Sequence, residues 1–273
     1  MQFLILGGLE IHGPGQRMQI SAPKQRAVLA GLLLCANNEV PFGQLIRYVW
    51  DGRPPATAQT TLQSYIYRLR QLLRPLPGVE LRTSIDSYML AVEPAETDLW
   101  SFRTRVEQAR EDAARSRWPE AIASLRAAGA VWRGNALTGV PGEVIRQEGR
   151  VLDGERIAAY EELYGAEIFV GNTRQIVPEL QRAVASYPYH EVFHAQLMLA
   201  LYASGRQVEA LQTFASVRLR LRERLGIDPG PGLQHLHRSI LRQLPVEQMT
   251  APGPPRPVPG ERDELRVGRE PAA

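Results

Sequence analysis

One short motif in this chain has the residue spacing of a metal-dependent hydrolase. His190, Glu191 and His194 form the pattern H-E-x-x-H. On a helix, two histidines at this spacing share a face and can bind Zn²⁺, with the glutamate acting as general base. Glu209 is a conceivable third ligand. The pattern therefore allows a zinc peptidase as one interpretation.

The surrounding sequence favours a structural role for these residues. The motif follows Tyr187-Pro188-Tyr189, where a helix is expected to begin, and no cleft is indicated nearby. His235 and His237 lie two positions apart, which is a poor spacing for one helix face. No Ser/His/Asp or Cys/His set suited to nucleophilic catalysis stands out. We therefore expect no enzymatic activity, no metal and no cofactor, with the zinc peptidase kept as an alternative.

A second stretch, from Thr57 to Arg74, carries side chains suited to recognising nucleic acid. It contains no Asp or Glu, and it contains three arginines. At about 100° per residue, one face of a helix here is apolar, with Ala58, Leu62, Ile66, Leu69 and Leu73. The opposite face presents hydroxyls, amides and a guanidinium from Thr60, Gln63, Ser64, Tyr67, Arg68 and Gln71. Such a face suits the DNA major groove, because phosphates repel carboxylates whereas Arg and Gln bind base edges. An ordinary surface helix is the alternative.

The elements before this helix predict a small three-helix unit. Arg53-Pro54-Pro55 disfavours helix, and Thr57 is then expected to act as N-cap through its hydroxyl. A helix begins at Pro23 and ends near Asn37, and a short one covers Gln44 to Trp50. Lys24 and Arg26 lie in the first turn, where the helix dipole disfavours cations, which suggests an anion nearby. Salt bridges or plain solvent exposure explain these cations equally well.

Short strands are predicted on both sides of this unit. Residues 3–6, 9–11 and 18–20 form a β-meander, and Gly7-Gly8 lacks the strand–loop–helix context of a phosphate-binding loop. Residues 79–84 and 88–92 alternate like two strands joined at a tip of Ile85, Asp86 and Ser87. Three helices followed by a hairpin predict a winged helix in residues 1–94.

Composition limits the remaining choices. The length fits about two domains, and no apolar run reaches about 18 residues, so no membrane span is expected. Cys35 is the only cysteine, is expected to be buried and excludes an internal disulfide, which fits a cytoplasmic protein. Residues 1–94 hold one Lys and eight Arg against six acidic residues, so the formal net charge of +3 lies there. This modest excess permits DNA binding without requiring it.

Residues 95–245 are predicted to be helical. Asp98 is expected to cap one helix, a second runs from Pro119 to Trp132, and a long one covers Glu143 to Val170. Gly171 and Gly205 lie 34 residues apart between predicted helices, a period typical of tetratricopeptide-like helix pairs. Residues 246–273 are rich in proline and charge and predict a disordered tail. The predicted fold class is therefore mainly α with a small β component.

Several motifs together resemble the Streptomyces antibiotic regulatory protein family. They are Thr61-Leu-Gln-Ser-Tyr-Ile-Tyr-Arg-Leu-Arg, Leu81-Arg-Thr with Ser87-Tyr-Met-Leu, Lys24-Gln-Arg-Ala-Val-Leu-Ala, Trp132-Arg-Gly-Asn-Ala-Leu, and long segments beginning at Leu197 and Leu225. The hairpin of the family normally ends in Gly-Tyr, whereas this chain has Ser87-Tyr88. The resemblance covers about residues 1–245. It implies a response-regulator type of winged helix followed by a bacterial transcriptional activation domain.

The resemblance implies a sequence-specific transcriptional activator for antibiotic biosynthesis genes. It would bind direct repeats near the −35 region of double-stranded promoter DNA as a homodimer and recruit RNA polymerase holoenzyme through its sigma factor. The expected DNA contacts are Lys24, Arg26, Thr60, Thr61, Gln63, Ser64, Tyr67, Arg68, Arg70, Arg82, Thr83 and Ser84. The loop formed by Trp50, Asp51, Gly52, Arg53 and Pro54 is the candidate polymerase contact, with a plain structural connector as its alternative. A protein-binding tetratricopeptide adaptor without specific DNA binding is the alternative function.

Overall fold

The computed structural model describes residues 2–13 and 15–249, and these are mainly helical with a small β component. Most of the predicted tail, residues 250–273, lies outside the described residues. At the beginning of that predicted tail, Val246–Gln248 forms a 3-10 turn and Met249 is buried. Within the described ranges, no helix combines the length and the apolar character needed to cross a bilayer.

The first strands form an antiparallel meander in the order β1 (Gln2–Leu4), β2 (Glu10–Gly13), β3 (Gln16–Met18). Phe3 is paired with Ile11, and both side chains are buried, as expected when alternate residues of a strand face a core. The third strand begins and ends earlier than the predicted residues 18–20.

Three helices follow, α1 (Pro23–Leu34), α2 (Phe42–Trp50) and α3 (Ala58–Leu73). Residues 27–33 of α1 are all buried, and α1 approaches α2 closely at Gly31. A Cβ atom on Gly31 would lie 2.5 Å from the Tyr48 ring, so this contact requires glycine. The lone Cys35 follows α1 and is only half-buried, because it lies at the helix end rather than inside the helix as predicted. Partial burial raises the pKa of its thiol.

A second sheet has the order β4-β6-β5, with β4 (Val40–Pro41), β5 (Glu80–Thr83) and β6 (Ser87–Ala91). The sequence predicts the β5–β6 hairpin but not β4, whose two residues are too short to show an alternating pattern. The tip consists of Ser84, Ile85 and Asp86 rather than the predicted Ile85, Asp86 and Ser87, because β5 ends at Thr83 and Ser87 already pairs with Pro41 in β6. The Ser84 N–H donates to the carbonyl oxygen of Ser87 across this tip.

The next helices are α4 (Asp98–Ala114), α5 (Trp118–Ala130) and α6 (Glu143–Phe169). The prediction that Asp98 caps α4 is wrong. Its carboxylate accepts the backbone N–H groups of Ile5 and Leu6, each at 2.9 Å. Instead, the Thr97 hydroxyl oxygen lies 3.4 Å from the Trp100 nitrogen and accepts that N–H. A local pattern identified the helix start but could not show this distant partner.

The described residues divide into two compact units, with a boundary inside α6. The first unit extends to Leu163 except for Ala114–Ser116, and the second contains those three residues and continues from Tyr164. Inside the first unit, the N–H groups of Arg133, Leu137 and Thr138 donate to carbonyls of residues 5–7. Packing therefore joins the N-terminal segment to residues 98–138. The predicted domain boundary between residues 94 and 95 stays a prediction.

The second unit contains the end of α6 together with α7 (Thr173–Ser186), α8 (Glu191–Ala203), α9 (Gln207–Leu225) and α10 (Pro231–Leu241). α8 is buried along most of its length, between α7 and α9. Gly171 and Gly205 both adopt positive φ angles, of 87° and 79°, in the turns before α7 and α9. The 34-residue spacing thus marks two equivalent turns between helices, each of which favours glycine.

Candidate nucleic-acid interface

The two faces of α3 are those that the sequence predicts. Ala58, Leu62, Ile66, Leu69 and Leu73 are all buried, with at most 5% exposure. The solvent-facing side chains are Gln59, Thr60, Gln63, Ser64, Tyr67, Arg68, Arg70, Gln71 and Arg74, while Thr61 is half-buried. Tyr67 is 62% exposed, which is unusual for a large aromatic ring on a well-packed helix. This carboxylate-free surface is called the α3 face below.

Hydroxyl groups at the start of α3 are engaged locally. Thr57 occupies the N-cap position as predicted, but its side chain makes no capping hydrogen bond. Instead, the Thr60 hydroxyl donates to the Thr57 carbonyl at 3.0 Å, and the Ser64 hydroxyl donates to the Thr60 carbonyl at 3.1 Å. Both hydroxyl protons are therefore used by the helix, and their oxygens face solvent as acceptors.

Gln63 and Arg68 differ from these hydroxyls because both side chains are exposed and have no hydrogen-bond or ion-pair partner within the described residues. Gln63 offers one acceptor and two donors, and Arg68 offers a planar fork of donors. These are the groups that bind adenine and guanine bidentately in a major groove. Gln59 lies one turn before Gln63 and is equally exposed. Gln59 is not among the predicted DNA contacts, although its position four residues before Gln63 was the available signal.

The predicted phosphate contacts near the hairpin are all held by intramolecular bonds. Arg70 donates from Nε to the Leu81 carbonyl at 2.8 Å, and a second N–H donates to the Thr83 hydroxyl. Arg82 pairs with Glu80 at 2.7 Å. The Ser84 hydroxyl donates to Glu39 at 2.7 Å.

Ser87, the position at which this chain departs from the family pattern, is also explained by Glu39. Its buried hydroxyl donates to the second oxygen of the Glu39 carboxylate at 2.9 Å. Hydrogen bonds from Ser84 and Ser87 lower the pKa of that carboxyl. Serine therefore gives the hairpin an anchor that glycine could not supply.

Lys24 and Arg26, at the start of α1, have different surroundings. The ammonium of Lys24 lies 5.0 Å from the centre of the Trp50 ring, a cation–π distance. Arg26 borders a cavity of ≈ 270 Å³ together with Arg17 and residues of β2 and β3. Its Nε is buried without a hydrogen-bond partner among the described residues. An anion beside α1 would satisfy this group.

The candidate polymerase loop divides into a packed part and an exposed part. Trp50 stacks on Tyr65 with ring centres 6.3 Å apart. Asp51 adopts a left-handed conformation, and its carboxylate accepts the Val144 N–H at 3.1 Å near the start of α6. Gly52, Arg53 and Pro54 are exposed. Trp50 and Asp51 thus have structural contacts, and Asp51 is exposed together with Gly52, Arg53 and Pro54, so these four residues form the accessible surface of the loop.

The structure does not assemble a zinc site from the H-E-x-x-H motif. His190 is the N-cap of α8, and Glu191 accepts the Gly230 N–H at 2.7 Å. His194 is 2% exposed, with Nε2 3.1 Å from the Pro188 carbonyl oxygen. Glu209 is ion-paired with Arg206. Over residues 2–13 and 15–249, no three His, Cys, Asp or Glu side chains come together as a potential metal site.

The buried His194 gives a prediction about pH. Burial lowers the pKa of its imidazole, with the charge of Arg220 and of His190 acting in the same direction. An unfolded chain protonates first, so it binds more protons than the native state, and stability decreases as the pH falls below about 6.5. We expect the melting temperature of His194→Gln to depend less on pH between 7.5 and 5.5 than that of the wild type.

Thermal unfolding followed by circular dichroism at several pH values measures this effect. His235→Gln is the matched control, because His235 is exposed on α10. Part of the dependence should persist in His194→Gln, since burial also lowers the pKa of His237. If the melting temperature of His194→Gln changed with pH as steeply as that of the wild type, His194 would not contribute to the pH dependence of stability.

Comparison with known proteins agrees with this architecture. Residues 97–241 match the bacterial transcriptional activator domain. Regulatory protein DnrI of Streptomyces peucetius is 35% identical over 264 residues, which cover 93% of this chain and 97% of that protein. Transcriptional regulatory protein MoaR1 of Mycobacterium tuberculosis is 34% identical over 255 residues, covering 91% and 82% respectively.

A solved structure is also similar, that of Mycobacterium tuberculosis EmbR in complex with a low affinity phosphopeptide. It matches with a TM-score of 0.83 and 33% identity, covering 89% of this chain and 65% of that one. The predicted mainly helical class with a small β component is thereby confirmed. The matched domain and these relatives define the class as a bacterial transcriptional regulator. Within that class, the chain belongs to the Streptomyces antibiotic regulatory protein family, as its sequence motifs predict.

Proposed function

We propose that the protein is a sequence-specific, DNA-binding transcriptional activator. In this proposal residues 1–94 act as a winged helix of the response-regulator type, with α3 in the major groove and the β5–β6 hairpin as the wing. The observation that carries the proposal is the α3 face, which is exposed along the helix, contains no carboxylate and is supported by five buried apolar residues. A surface of this kind can approach phosphates closely, and its amide and guanidinium groups can read base edges.

The proposed contacts fall into two groups. Gln63 and Arg68 read bases, with Tyr67 beside them and with Thr60, Thr61 and Ser64 close to the groove walls. Lys24, Arg26, Arg82, Thr83 and Ser84 lie near phosphates. Thr60 and Ser64 accept hydrogen bonds in this arrangement, because their own protons are donated to the helix.

The helical residues 95–245, as tetratricopeptide-like pairs, are proposed to supply dimerisation and contact with RNA polymerase. Binding as a homodimer to direct repeats near the −35 region would place the protein beside the sigma factor. Asp51, Gly52, Arg53 and Pro54 are the exposed part of the loop proposed for this contact. Family membership supports target genes of antibiotic biosynthesis and a cytoplasmic, nucleoid-associated location.

The deciding experiment measures binding of labelled promoter DNA in moderate salt with unlabelled competitor. The DNA is taken from upstream of neighbouring genes, and the protected bases are mapped. We expect protection of two direct repeats, and we expect the complex with promoter DNA to persist in the presence of nonspecific competitor. If unlabelled nonspecific DNA displaced the labelled promoter DNA completely, the alternative function, a protein-binding adaptor without specific DNA recognition, would be favoured instead.

Arg82 provides a prediction about the phosphate contacts. Arg82→Ala should weaken binding to all sequences about equally and reduce the slope of log K against log salt by about 0.9. The physical reason is that an exposed ion pair such as Arg82–Glu80 contributes little and leaves the guanidinium available for phosphate. Glu80→Gln keeps Arg82 and should not weaken binding. A change in base preference in Arg82→Ala would contradict this assignment.

A further inference from the structure

One side chain of α3, that of Arg70, joins this helix to the β5–β6 hairpin. Arg70 uses Nε and a terminal nitrogen at the same time, donating to the Leu81 carbonyl at 2.8 Å and to the Thr83 hydroxyl. Both acceptors belong to β5. A guanidinium fixes two donors in one plane, whereas a lysine ammonium is a single point of charge on a flexible stem. This contact therefore defines an orientation as well as a distance.

The opposite side of the hairpin is held by residues that precede and begin α2. Glu39 accepts hydrogen bonds from the hydroxyls of Ser84 and Ser87, at 2.7 and 2.9 Å. The Phe42 N–H donates to the Asp86 carbonyl at 2.9 Å. With these bonds on one side and Arg70 on the other, the hairpin is connected to both α2 and α3.

We propose that Arg70 is a positioning residue that fixes the hairpin relative to the α3 face, and that it is not a phosphate contact. The proposal rests on the proposed DNA-binding function and replaces one of its sequence-predicted contacts. A protein that touches DNA through two elements binds best when their separation is set before binding, because ordering them on the DNA costs affinity. Arg70 sets that separation with donors that a phosphate would otherwise use.

Arg70→Lys separates the two roles, because it keeps the positive charge and removes the planar pair of donors. If Arg70 positions the hairpin, Arg70→Lys and Arg70→Ala should both lose about tenfold in affinity, and Arg70→Lys should keep the wild-type salt slope. Arg174→Lys, an exposed arginine on α7, is the control. Near wild-type binding by Arg70→Lys, with a salt slope reduced by about 0.9 in Arg70→Ala, would overturn the proposal.

Thr83 provides a second test. Thr83→Val removes the hydroxyl at almost constant shape and should weaken binding several-fold, whereas Thr83→Ser keeps the hydroxyl and should bind like wild type. In a double-mutant cycle, Arg70→Lys should cost less in the Thr83→Val background than alone, because the bond is already lost. Additive losses would show that the two residues act independently and would count against the proposal.

A measurement on the free protein distinguishes failure of this proposal from failure of the DNA-binding function. Amide hydrogen exchange at Ser84, whose N–H bonds to Ser87 across the tip, should be faster in Arg70→Lys than in wild type. Unchanged exchange would refute positioning by Arg70 whether or not the protein binds DNA. If exchange were faster in Arg70→Lys but the protein bound no DNA, the positioning role of Arg70 would stand and the proposed DNA-binding function would be wrong.

Discussion

Asp98→Ala is expected to destabilise the first compact unit by about 2–5 kcal/mol. The Asp98 carboxylate is 4% exposed and accepts the N–H groups of Ile5 and Leu6, with Arg133 at 3.4 Å as its ionic partner. Alanine leaves both buried N–H groups without an acceptor, at a cost of about 1–3 kcal/mol each. Arg133 also loses one of its two acidic partners and retains Glu10. A loss of this size is a large part of the stability of an ordinary domain.

Tryptophan fluorescence during urea unfolding measures this loss selectively, because all four tryptophans, at positions 50, 100, 118 and 132, lie in the first unit. The unfolding midpoint of Asp98→Asn should lie between those of wild type and Asp98→Ala, since the single acceptor oxygen of asparagine can satisfy only part of the pair of N–H groups from Ile5 and Leu6. Glu93→Ala, which removes an exposed acid nearby, should change stability by less than about 0.5 kcal/mol. An Asp98→Ala midpoint equal to that of Glu93→Ala would disprove the anchoring role.

The contrast between Asp98 and α3 shows what the sequence can predict. The α3 face depends on local periodicity, because five apolar residues at helical spacing determine which side is buried. Asp98 has the signature of a helix cap, but its acceptor role depends on Ile5 and Leu6, which are more than 90 residues away in the chain. Only the packed structure can reveal such a pair.

The hairpin shows the same limit within the candidate site. The alternation of residues 79–92 predicts two strands, and charge and hydroxyl content suggest phosphate contacts. The structure adds that Arg70, Arg82 and Ser84 are each bonded to another residue of the protein. Glu39, the partner of Ser84, lies 45 positions earlier in the chain. Sequence therefore identified the polar residues near the site but could not separate those that bind a ligand from those that hold the fold.

Arg68→Ala is expected to reduce discrimination between the operator and altered operators by about 1–3 kcal/mol, which is about 5- to 150-fold in relative affinity. Arg68 is exposed on the α3 face and has no intramolecular partner within the described residues, so its donors are available for the O6 and N7 atoms of a guanine. The loss should concentrate at one base pair. Arg68→Lys should recover charge but not the bidentate geometry, and so should only partly restore discrimination.

Competition binding with a set of operators, each altered at one base pair, measures this effect at constant salt. Arg174→Ala removes the same charge from α7 and should leave the profile of base preference unchanged. Because salt affects phosphate contacts more than base contacts, repeating the series at a second salt concentration separates the two contributions. If Arg68→Ala lowered affinity equally for every operator, Arg68 would be a phosphate contact. If it changed neither affinity nor preference, the assignment of the α3 face as the DNA-reading surface would be wrong.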